Sequence, residues 1–169
     1  MISEELLERI ENYIEKTYID LEALAKEGVK FSIGHEPPKE SVVDSIIKKL
    51  KDKLGLTKNP FADYLWKLID EKGMTDVETY KKAHIDRRIF SKIRNEKNYM
   101  PSKRTILAIA IALECDSEEV STLLHHAGYH LSTFSKEDVI IDYFFENKIY
   151  DLFLINEILD RFGFKTLGD

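Results

Sequence analysis

The chain has 169 residues and a formal charge of −6, with 43% apolar and 33% charged side chains, values that exclude a disordered chain and fit one folded domain with extensions. Its single cysteine, Cys115, excludes a disulfide framework or a Cys-rich zinc module, and no apolar run has the length of a membrane span. Residues 1–14 carry acids early and lack a continuous apolar core, so they are not a signal peptide, and a cytoplasmic protein is expected. Leu, Ile, Lys and Glu dominate while Gly and Pro are few, which favours an all-α chain over short strands.

A first amphipathic helix is expected from Ser3 to about Tyr18, with Leu6, Ile10, Tyr13 and Ile14 on one side. Gly28, Gly34 and Pro37-Pro38 mark a loop. Val42, Val43, Ile46, Ile47 and Leu50 then predict a second helix over about 40–53, ended by Gly55. Asn59-Pro60 opens the next helix, whose buried side is Phe61, Leu65, Leu68 and Ile69 and whose stop is Gly73. Thr75 caps a short helix to about Ala83, and His84-Ile85-Asp86 forms a tight turn. Asp86 is a good N-cap for the helix that follows, in which Ile89, Phe90 and Ile93 face inward. Ser102 caps a helix that is apolar nearly all round and is therefore expected at the centre of a bundle. Asp116 or Ser117 starts another, stopped by Gly128. Two more are expected after Ser135 and Asp151, the last with Phe153, Leu154, Ile158 and Leu159 as its apolar side.

One stretch differs in charge from the rest. From Asp86 to Arg104 there are seven Lys/Arg and two acids, a net of +5 in an acidic chain. Residues 1–30 and 135–169 each carry −4. A basic island between acidic flanks points to an anionic partner at that place, although a solvated helix face would have the same composition.

Residues 61–128 resemble the Cro/phage-repressor (Xre-type) helix-turn-helix family. The resemblance rests on Ile85 and Asp86 closing a turn, on Phe90-Ser91-Lys92-Ile93-Arg94 in the recognition-helix pattern, on Pro101-Ser102 opening the fourth helix, and on the Ala-rich run Thr105 to Leu113. Two residues depart from the family: Tyr80 stands where a small Ala is usual, and His84 where Gly is usual in the turn. The resemblance implies a five-helix repressor-like helix-turn-helix bundle over 58–130, with helical extensions over 1–57 and 131–169. It further implies double-stranded DNA as partner, with Arg87, Arg88 and Lys92 at base edges. Thr75, Ser91, Asn95, Lys97, Lys103 and Arg104 would lie at phosphates. Family members usually act as dimers, so a homodimer through the terminal helices is expected.

Other readings stay open. The acidic flanks suit an adaptor that keeps the fold and binds a protein partner. His125, His126 and His130 crowd one helix end, but no Glu lies between them as in a zinc hydrolase, and capping the helix is their plainer use. With no phosphate loop, nucleophile elbow or paired-acid signature, no enzyme activity, metal or cofactor is expected.

Overall fold

The computed structural model describes residues 4–18, 59–96 and 99–168. The described residues form eight helices and no strands: α1 (Glu4–Thr17), α2 (Pro60–Glu71), α3 (Asp76–Lys82), α4 (Arg87–Asn95), α5 (Lys103–Ala112), α6 (Ser117–His126), α7 (Lys136–Glu146) and α8 (Leu152–Arg161). The all-α expectation holds. The chain divides into two compact units, residues 1–19 with 60–169 and residues 20–59. The helix expected over 40–53 falls in the second and lies outside the described residues.

Local chemistry sets the boundaries. Thr75, Asp86, Ser102, Asp116, Ser135 and Asp151 are N-caps, each accepting a backbone N–H of the first turn on its side chain. Two of these caps are reciprocal capping boxes, Thr75 with Glu78 and Asp116 with Glu119. The C-termini share one device. After each of α2, α3, α5, α6, α7 and α8 a residue with positive φ reverses the chain, and the residue behind it donates its N–H back five residues, as Ile85 does to the Tyr80 carbonyl (2.9 Å). Gly73, Gly128 and Gly163 fill that place after α2, α6 and α8, but His84, Glu114 and Lys148 fill it after α3, α5 and α7. His84 (φ 54°) thus adopts the left-handed geometry that the family usually gives to Gly.

Helix α5 is the centre. All eight residues from Thr105 to Ala112 are buried, against α3, α6 and α8. Each fully buried Ile or Leu there contributes roughly 1.5–3 kcal/mol. Helix α4 lies at the edge, burying only Phe90 and Ile93. Tyr80 finds its space through an edge-on contact with Phe90, at 5.8 Å between ring centres, and Trp66 meets Phe90 in the same edge-on way.

The acidic flanks cover this bundle. Helix α1 packs on α7, where Ile10 is fully buried and the Tyr13 hydroxyl donates to Asp142 Oδ2 at 3.0 Å. Burial, more than the neighbouring acids, pushes the Tyr13 phenol up to about 12. Helix α8 packs on α5 and α7. The segment after α8 is pinned by Asn156, which donates to the Leu167 carbonyl (3.1 Å) and accepts its N–H (2.7 Å). Phe153, expected on the apolar side of α8, is 72% exposed and rests its ring on His84, 4.7 Å away.

Candidate nucleic-acid interface

The candidate surface is the outer face of α4, and its aim is set by its first turn. Asp86 Oδ1 accepts the Arg88 N–H at 2.7 Å, which starts the helix cleanly behind the Ala83-His84-Ile85 turn. That hydrogen bond, chiefly, holds the Asp86 carboxyl below its usual range. With Phe90 and Ile93 turned to the core, the period of the helix leaves Arg87, Arg88, Ser91, Lys92 and Asn95 on the exposed side.

These exposed groups differ in how far they are already engaged. Arg87 and Lys92 enter none of the ion pairs among the described residues. The Lys92 ammonium sits 5.5 Å over the ring of Tyr99. Arg88 lies 3.4 Å from Asp86 Oδ2, yet its side chain is 87% exposed, so solvent screens that pair heavily. Asn95 Nδ2 donates to both the carbonyl and the hydroxyl of Ser91, at 2.9 and 3.2 Å. A compact patch results, with three cations able to swing outward on a helix whose back is fixed.

Three other cations of the basic island are spoken for. Arg94 stacks 4.2 Å over the Trp66 ring and pairs with Asp76 at the start of α3, tying the two helices of the motif together. Lys103 donates to both carboxylate oxygens of Asp138 at 2.6 Å, and Arg104 reaches Glu137 through Nε and Nη2. Both acids belong to the first turn of α7. Lys97 lies outside the described residues. Thr75 is given over to its capping box: its hydroxyl donates to Glu78 Oε2 (2.7 Å) while its oxygen accepts the Glu78 N–H (3.2 Å). The hydroxyl contact is the main reason that the Glu78 carboxyl stays below its usual range. Of the residues expected at DNA, then, Arg87, Arg88, Ser91, Lys92 and Asn95 share one exposed face. Thr75, Lys103 and Arg104 each contact a carboxylate.

Two of the remaining chemistry-bearing groups, His126 and Cys115, are used for packing. His126 stacks against Tyr64 at 5.4 Å, and among the described residues no three His, Cys, Asp or Glu side chains gather as metal ligands. Burial pushes the Cys115 thiol up to about 12, so it stays a neutral packing group. Among the described residues no helix is long and apolar enough to cross a membrane.

A short buried-backed helix behind a tight turn, held against α2 and α3, is the architecture of a helix-turn-helix nucleic-acid module. Residues 64–125, from α2 to α6, match the Cro/C1-type helix-turn-helix DNA-binding domain. No curated protein and no solved structure matches the chain. The resemblance read from the sequence over 61–128 and this match cover nearly the same segment, and the match supports a DNA-binding role for it.

Proposed function

We propose that the protein is a sequence-specific, double-stranded DNA-binding regulator that inserts the first turns of α4 into the major groove. The observation that carries this reading is the open outer face of α4. Arg87, Arg88 and Lys92 stand exposed together at the front of a helix locked in place by Asp86, Phe90 and Ile93. In that pose the two arginines and the lysine suit guanine O6 and N7, each good contact discriminating by about 1–3 kcal/mol. Ser91 and Asn95, one turn further along, suit phosphate oxygens and fix the register.

Selection of bound molecules from a random duplex pool tests the reading and requires no known target sequence. A guanine-containing motif that disappears in R87A/R88A/K92A supports it. A failure to enrich any sequence, with equal binding by wild type and the triple variant, overturns it. The form of the motif also reports assembly: an inverted repeat with half-sites about one helical turn apart means that the protein binds as a homodimer. A single unrepeated element means one copy.

A further inference from the structure

The C-terminal helices do more than cover the bundle, because they meet the helix-turn-helix unit at the turn before α4 and at the start of α5. At the front, Phe153 of α8 rests on His84 in the turn. Gly168 lies so close that a Cβ there would come within 3.2 Å of the His84 carbonyl oxygen. At the start of α5, the first turn of α7 presents Glu137 and Asp138 to Arg104 and Lys103. This second contact is joined to the reading face by a short stretch of chain. Tyr99, which lies under the Lys92 ammonium, is only three residues from the Ser102 cap of α5, at most about 11 Å of chain.

The two pairs differ in kind. Asp138 is a fixed part of the fold, since its side chain is 9% exposed and also accepts the Ser132 N–H at 2.9 Å. Glu137 and Arg104 are more open to solvent, at 23% and 37%, and Glu137 caps nothing. Arg104 grips it with two N–H groups, at 3.1 and 3.3 Å, the planar fork with which an arginine also holds a phosphate. A carboxylate therefore occupies a group suited to phosphate, five residues along the chain from the ring under Lys92.

Resting on the DNA-binding reading above, we infer that Glu137 withholds Arg104 from the DNA backbone, so that the C-terminal extension is a built-in competitor that lowers affinity. The extension stays docked throughout, held by Asp138 and by the Asn156–Leu167 pair. Only the Glu137 side chain has to yield for Arg104 to gain a phosphate.

Binding of the intact chain to a fluorescent mixed-sequence duplex across a salt series tests this. One added phosphate contact steepens the slope of log K against log salt by about 0.9 and tightens binding about eightfold at 0.1 M salt. Glu137→Gln, which keeps the shape and removes the charge, is expected to do both. Arg104→Ala should keep the wild-type slope, and E137Q/R104A should behave as R104A alone. Glu118→Gln removes one charge from an exposed site on α6 and should leave the slope unchanged. An E137Q slope equal to that of wild type, in a wild type that binds, overturns this inference and leaves the DNA reading standing. A gain that persists in the R104A background, or that E118Q reproduces, also overturns it. Absence of binding by both wild type and E137Q at low salt overturns the DNA reading and this inference together.

Discussion

Two helix starts in this protein carry adjacent basic residues, and they have opposite fates. Helix α4 begins Arg87-Arg88 and α5 begins Lys103-Arg104, and in the sequence both add equally to one basic island. At α4 the pair faces solvent, beside the screened carboxylate of its own N-cap. At α5 the pair is met by Asp138 and Glu137, more than thirty residues later in the chain. The comparison teaches that a local charge count gives composition, and that tertiary packing decides which charges remain available to a partner. Of the six described cations in the island, three are paired with acids of other helices, and Arg87, Arg88 and Lys92 stay on the open face of the helix that a reader of DNA would use.

The largest effect expected from this contrast falls on binding. R87A/R88A/K92A should lose about two to four orders of magnitude in affinity for the selected sequence and flatten the salt slope, measured by fluorescence anisotropy. Loss of less than tenfold would mean that these cations are a solvated face.

The next effect falls on stability and marks the α5 pair as part of the fold. Asp138→Ala leaves Lys103 without its partner in a half-buried place and orphans the Ser132 N–H, at a cost of about 3 kcal/mol, seen as a lowered denaturant midpoint. An unchanged midpoint would put this pair in the same weak class as surface ion pairs.

Smaller again is the cap. Asp86→Ala removes the acceptor of the Arg88 N–H and should lower the denaturant midpoint by less than Asp138→Ala does. Its affinity loss should exceed that of capping losses elsewhere, such as Ser135→Ala, because α4 is the reading helix. The smallest change is stabilising: Lys148, exposed at φ 55°, is held in left-handed geometry that Gly adopts freely, so Lys148→Gly should gain up to about 1 kcal/mol in the same denaturant titration. His84→Gly at the equivalent place should gain less, since it gives up the ring contact with Phe153.

Much of the fold was legible because its signals are local. Thr75, Asp86, Ser102 and Ser135 cap the helices that they were expected to cap, Gly73 and Gly128 end theirs, and the uniform apolarity of 105–113 placed α5 at the centre. The non-Gly reversals at Glu114 and Lys148 gave no such signal, because they are closed by backbone bonds alone, from the Cys115 N–H to the Ala110 carbonyl and from the Ile149 N–H to the Phe144 carbonyl. The candidate surface was legible in part. The period of α4 separates Arg87, Arg88 and Lys92 from Phe90 and Ile93 in the sequence itself. Nothing local announces that Arg94 is stacked on Trp66, or that Lys103 and Arg104 meet acids from α7, since those contacts depend on how distant helices pack. Phe153 was hidden for the same reason: its neighbours are apolar at helical spacing, yet it faces outward onto the His84 ring.

The most direct test of the account sets the two helix starts against each other. Salt-dependent binding to the selected duplex would be measured for wild type, R87A/R88A/K92A and R104A side by side. R104A is expected to keep the wild-type slope, while the α4 variant loses specific binding and about two to three from the slope. A slope reduced in R104A but kept in the α4 variant would contradict it, and would place the DNA at α5.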